Sequence, residues 1–364
     1  MIYDFNTKNK SFLALYEHLK KKGVKNNNFF LMLFDKGLIG IDPRDPELTD
    51  EYKYRILIEC KNNYWYFLRE VVLLPSIDSN CGVNYNLNRG TLAFNYCLVN
   101  NFNAMIDLPN YYGKEISIII RTLWEYLFID GHYKTILINN RTEYSVNNLK
   151  KMKDIYGLLP SYLRIEDICY DKTIYIRSNY KCIEVAKQAK TKATAELIGR
   201  EMTQNRQIFY NFEKIKNNEI LFNSSRLPFH QIANQSKKDN KPYGTILITT
   251  GGVLGEPSGD FAYKVKQLSL HFEELYYDLD IESIRDKLDN NWYPFLYVTF
   301  NILELNRTDD WITNRLKEMC YDWNNFIRDQ FVFWCWTYMI VGNLHYHIFI
   351  SKNNRLMIIY KGGI

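Results

Sequence analysis

What this chain of 364 residues lacks narrows it first. Its seven cysteines, at positions 60, 81, 97, 169, 182, 320 and 335, are scattered and never fall in a C-x-x-C spacing. That argues against a disulfide framework and against a cysteine zinc site, and points to a reducing compartment. Long apolar runs are missing too. The longest, Phe331 to Val341, falls well short of the ~20 residues that cross a bilayer, and the polar opening Met1 to Lys10 has no signal-peptide core. No membrane partner is expected. A strong excess of one charge is also absent: 46 basic residues face 41 acidic ones, and the net +5 permits a polyanionic partner without requiring one. His345 and His347 would share a strand face, but no third ligand lies nearby in the sequence, so no metal site is expected there. The length suffices for one large domain, alone or with a smaller appendage.

What is present is organised around Asn103 to Phe128. Ala104-Met105-Ile106-Asp107-Leu108 is short, mostly apolar and bounded by turn formers, as a buried strand would be. The loop Pro109 to Glu115 follows, and Ile116 to Phe128 reads as a buried helix. A strand, a Gly-Lys bend and a helix form the layout of a nucleotide phosphate loop, where backbone N–H groups and a lysine surround phosphates at a helix N-terminus. The pattern G-x-x-x-x-G-K-[ST] is only half kept. Gly113 and Lys114 are in place, but Leu108 replaces the first glycine and Glu115 the hydroxyl residue that holds Mg²⁺. A carboxylate there can ligate Mg²⁺, yet it repels a triphosphate by roughly 1 kcal/mol or more even at high dielectric. ATP and Mg²⁺ are expected to bind weakly.

The rest of the chain alternates helix and strand signatures. Helices are predicted over Asn6–Lys22, Phe29–Phe34, Thr49–Lys61, Leu92–Val99, Val146–Tyr156, Glu219–Gln235, Phe261–Leu268, Ile281–Leu288 and Trp311–Tyr321. Strands are predicted over Lys134–Asn139, Lys172–Arg177, Asn179–Ile183, Gln207–Asn211, Thr245–Thr250, Phe295–Phe300 and in the block Phe331–Tyr338 and His345–Ile350, with Leu275–Asp278 extended. The aromatic segment Asn63 to Val72 reads as core, and Lys187, Lys190 and Lys192 as a solvated face, with a DNA-phosphate contact as the alternative. Alternation at this spacing indicates an α/β protein with a mostly parallel sheet covered on both faces. In such sheets ligands lie outside the carboxyl ends of strands, so Thr249 and Thr250 can converge with the Gly-Lys bend on one crevice.

Read in order, these segments resemble the large terminase subunit of tailed bacteriophages, the ATPase that drives genome packaging through the portal of an empty capsid. Family segments like "ECKRNPWYFFREVV" and "LNRGNLAL" are similar to Glu59 to Val72 and Leu87 to Phe94, and the phosphate loop "PRQTGKT" to Pro109 to Glu115. "LGRGxTQ", "YDEFxFI" and "KPYGxLITTTPG" are similar to Ile198 to Gln204, Tyr210 to Ile215 and Lys241 to Gly252. The resemblance spans about Phe12 to Trp334. It implies a P-loop NTPase-like three-layer fold over residues 61–336, preceded by a helical region over 1–60 and followed by a short tail over 337–364.

Nucleotide contacts would come from Gly113, Lys114, Glu115, Thr249 and Thr250. The catalytic positions depart from the family. Its loop arginine corresponds to Asn110, its metal-holding threonine to Glu115, and its Asp at the second motif strand to Asn211. The water-activating Glu is missing or replaced by Phe212, and Glu213 would fall on the other face if the strand continued. The resemblance therefore implies a degenerate ATPase acting through the portal protein, double-stranded DNA or another terminase subunit in the cytoplasm of an infected bacterium, with a ring assembling only on the portal. The alternative it leaves open is a live motor in which Glu115 and Glu213 take over the metal and base duties. The last 30 residues contain no Asp or Glu, so the family's two-metal nuclease is not expected here.

Overall fold

The computed structural model describes residues 2–76, 82–164, 169–170, 173–176, 181–305, 307–320, 322–332, 334–336, 346–350 and 356–360. Nine strands form the main sheet. From one edge they are Leu270–His271, Leu296–Thr299, Ala104–Asp107, Gly244–Thr249, Arg206–Tyr210, Tyr133–Asn139, Lys181–Val185, Thr173–Ile176 and Cys169–Tyr170. The first six pairings are parallel and the last two antiparallel. The predicted hairpin near residue 180 is thus present as Thr173–Ile176 against Lys181–Val185, while its connecting residues and His345 lie outside the described residues.

Side chains alternate across this sheet and so build two separate cores. Ile106, Leu137, Ile208, Ile246, Ile248 and Val298 face one side, under the helices Arg89–Val99, Lys114–Phe128 and Thr142–Gly157. Met105, Ile136, Ile138, Phe209, Leu247 and Phe295 face the other, against Lys192–Glu201, Asn218–Lys238 and Pro257–Gln267. Each fully buried large side chain contributes about 1.5–3 kcal/mol, which is why two apolar faces suffice to hold a three-layer stack together. The N-terminal helix Lys10–Lys21 and the aromatic segment Tyr64–Val71 join the first core through Phe12, Leu19, Trp65 and Phe67. Thr49 caps Asp50–Asn62 by accepting from the Tyr52 N–H, as its position before two acidic residues predicts.

Three sequence expectations fail. Leu275–Asp278 lies in a 3-10 helix, Glu274–Asp278, because Tyr276 and Tyr277 must both turn inward against Phe272. Phe29–Phe34 is only one 3-10 turn, Phe29–Leu31, before a short strand Met32–Leu33 that pairs with Ile2–Tyr3. Phe331 closes a helix, Trp323–Phe331, capped by Asp322, and among the described residues of 331–338 only Cys335–Trp336 is a strand.

Candidate functional site at the carboxyl edge of the sheet

The parallel strand Ala104–Asp107 ends in the loop Leu108 to Gly113, and Gly113 adopts φ 88°, a left-handed turn that a side chain would strain, to start the helix Lys114–Phe128. Leu108 is fully buried, and its side chain lies where a Cβ on Gly90 would meet it at 2.7 Å. The replaced glycine has become a packing residue that ties the loop to the helix Arg89–Val99. Asn88, the cap of that helix, donates to the Tyr112 carbonyl at 3.1 Å.

Lys114 bends beneath the loop rather than out of it. Its ammonium donates to the carbonyls of Leu108 at 2.5 Å and Thr249 at 2.7 Å, and to the Thr250 hydroxyl. Burial pushes its pKa down to about 8, while Asp107, Glu213, Glu115 and Asp329 act in the opposite direction. Thr250 in turn donates to Asn110 Oδ1 at 3.2 Å, so the Gly-Lys bend, the Gly244–Thr249 strand end and Asn110 do converge, as the sequence predicts.

The loop is also covered from the C-terminal side, which sequence reasoning missed. The Asn110 N–H donates to the Asp329 carbonyl at 3.1 Å. Arg307 donates to the Tyr112 hydroxyl at 2.5 Å and stacks on Tyr112 and Trp311. Trp334 donates from its indole to Asp107 Oδ2 at 2.9 Å, and its ring fills the space beside Gly252, where a Cβ would lie 2.3 Å from it. Asp107 is fully buried and takes two further bonds, from the Tyr297 hydroxyl at 2.9 Å and the Gly251 N–H at 2.8 Å.

The second motif strand, Arg206–Tyr210, reaches the same edge one strand further on. It does not continue. Asn211 is left-handed at φ 50°, and a 3-10 turn over Phe212–Lys214 follows. This reverses the expected facing. Phe212 packs among Phe209, Phe222 and Phe261 in the second core, with ring centroids 5.7–6.0 Å apart. Glu213 is buried instead, within electrostatic range of Lys114 and Asp107, and neither carboxylate oxygen has a hydrogen-bond partner. The nearest cation is Lys214 at 3.6 Å. Burial pushes the Glu213 pKa up to about 7, against Lys214 and Lys114, which favour its charge. The signal available in the sequence was Asn211 itself, a residue type tolerant of left-handed backbone.

Glu115 is half-exposed and faces Lys151 at 3.5 Å. Beside it a cavity of about 620 Å³ is lined by Asn139, Arg141, Lys150, Asn211 and Lys214 among others, and Asn211 donates to Asn139 Oδ1 at 3.2 Å. The groups that would meet a triphosphate with Mg²⁺ at this loop have other partners as these residues stand. The lysine that would hold it is saturated by three protein oxygens, one loop amide is bonded to Asp329, and a carboxylate occupies the hydroxyl position.

A mainly parallel sheet with a Gly-Lys bend and helix at one strand's carboxyl edge, and a second motif strand two places along, has the layout of a P-loop NTPase-like α/β fold. Among solved structures it is similar to phage large terminases. The ATPase domain of the Thermus phage P74-26 large terminase, in a mutant form, shares 10% identity at a TM-score of 0.45, over 69% of this chain and 95% of that one. A large terminase from a thermophilic bacteriophage, in complex with ADP, shares 11% at 0.44, over 68% and 54%. That of bacteriophage HK97 shares 12% at 0.44, over 76% and 53%. The chain thus spans about half the length of the longer terminase structures. No protein-family model matches the sequence, and no curated protein does. No helix among the described residues is long and apolar enough to cross a membrane, and no cluster of three or more metal-ligating side chains occurs among them.

Proposed function

We propose that this chain is a terminase-large-subunit-like viral DNA-packaging protein with a degenerate nucleotide site, acting by binding the portal protein, double-stranded DNA or another terminase subunit. Support for the packaging role comes from the ordered sequence blocks around Glu59 to Val72, Leu87 to Phe94 and Lys241 to Gly252. The observation that carries the degenerate reading is the Lys114 ammonium, turned into the fold and bonded to three protein oxygens. Phosphoryl transfer depends on a lysine, a metal-holding hydroxyl, a loop arginine and a positioned water acting as one unit. Here Glu115 and Asn110 stand in two of those places, and the lysine is already engaged.

A second reading is favoured by one observation. Glu213 is a buried carboxyl without hydrogen-bond partners, its pKa raised toward neutrality beside Lys114, and such a group is suited to accept a proton from water. In that reading the chain is a working packaging ATPase in its closed form. Purified full-length protein with ATP and Mg²⁺ separates the two. The degenerate reading expects no phosphate release above the rate with Lys114→Ala. Metal-dependent turnover abolished by Lys114→Ala and by Glu213→Gln would establish the second.

A further inference from the structure

The end of the sheet opposite the phosphate loop carries a separate groove. Asn103, Tyr243 and Pro294 precede three adjacent parallel strands, and between these strand starts and the helices Asn218–Lys238 and Ile281–Asp289 lies a recess of about 370 Å³. Its wall is aromatic, formed by Phe222, Phe229 and Phe295, and its rim is cationic, formed by Arg226, Lys237 and Arg285. Asp289 is the one carboxylate among the lining residues.

These cations are weakly neutralised. Arg226 and Lys237 lie over the rings of Tyr293 and Tyr243, at 5.8 and 5.7 Å, and among the described residues neither pairs with a carboxylate. Arg285 pairs with Glu282, whose side chain is three-quarters exposed, and donates to the Asn100 carbonyl at 3.4 Å, so the ion pair is readily exchanged for another carboxylate. Two large apolar residues flank the recess in the sequence and face solvent, Leu227 at 70% exposure and Trp292 at 75%. An aromatic hollow with a basic rim, beside exposed Leu and Trp, has the anatomy of a protein docking site with a central anchor pocket.

We propose that this groove docks an acidic segment of a partner protein, which places one large apolar side chain in the hollow and its carboxylates on Arg226, Lys237 and Arg285. The charge complementarity sets the sign of the partner and the aromatic wall sets its anchor. Duplex nucleic acid matches less well, because its convex phosphate backbone calls for a row of cations on an open surface rather than cations around an apolar recess. The proposal does not depend on the state of the nucleotide site, which lies at the other end of the strands.

Fluorescence anisotropy of a labelled hexapeptide, one tryptophan among Asp and Glu, tests it on the full chain. Saturable binding is expected, weakened about tenfold when alanine replaces the tryptophan, and about tenfold again by Arg226→Glu with Lys237→Glu. Ala233→Trp, which fills the hollow from the helix Asn218–Lys238, is expected to block the peptide, and the charge-reversed protein decides the matter if that variant melts early. The proposal is overturned if the peptide shows no saturable binding, if the alanine peptide binds equally well, or if oligothymidine of equal charge binds more tightly and displaces it.

Discussion

One helix, Lys114–Phe128, carries buried charge near both of its ends, and the two ends treat it differently. Toward the C-terminus, Glu125 is completely buried between Arg121 at 2.8 Å and Arg206 at 2.5 Å, with the Tyr133 hydroxyl donating at 2.7 Å. Burial opposes that charge, but Arg206 and Arg121 outweigh it and hold the carboxyl below its usual range. At the N-terminus, Lys114 and Glu213 are just as buried yet are not bonded to each other. The lysine is held by neutral oxygens, the carboxylate has no hydrogen bond and only Lys214 at 3.6 Å, and burial moves both pKa values toward neutrality. The first group is a finished structural network. The second is a pair of charges kept in reserve, an arrangement found more often at sites than in scaffolds.

The largest expected effect tests the finished end. Arg206→Met leaves Glu125 buried with only Arg121 and Tyr133, and should destabilise the protein by about 3–5 kcal/mol in urea unfolding. A loss below ~1 kcal/mol would mean that the network is redundant and the contrast false. At the other end the sign reverses. A carboxyl raised from 4.5 to about 7 favours the folded state below pH 4.5, and that contribution is lost as pH rises toward 7. Glu213→Gln removes the penalty, so its advantage over the parent should grow to about 3 kcal/mol between pH 4.5 and 7.5 and then level off. Equal stability at both pH values would show that Glu213 is solvated and not in reserve. The smallest effect concerns the loop. Asn110→Arg with Glu115→Thr restores the family's charges, and should tighten binding of a non-hydrolysable ATP analogue by about tenfold, equivalent to ~1.4 kcal/mol. Unchanged binding would place the obstacle in the C-terminal cover rather than in loop electrostatics.

Much of this was legible in the residues. β-branched and apolar runs such as Thr245 to Thr250 marked the parallel strands, and Gly113-Lys114 marked the bend, because both follow from local patterning. The facing of Glu213 was not legible. It depends on whether a strand stops at Tyr210 or runs one residue further, and a single left-handed Asn211 exchanges the core side of Phe212 for the site side of Glu213. Nor was the covering of the loop by Asp329 and Trp334, since contacts across 219 and 227 residues leave no local trace. The groove at the amino edge was invisible for the same reason: its wall draws on Phe222, Phe229 and Phe295, which each read as ordinary core in isolation.

Gly252 gives the cover its most economical form of control. The indole of Trp334 sits where any side chain at that position would be, so the closed arrangement depends on one missing carbon atom. A single-nucleotide change to alanine would wedge the Trp334 ring away from Asp107. A lineage carrying this chain therefore stands one small mutational step from unlatching the crevice at the Gly-Lys bend, and the same step in reverse would shut it.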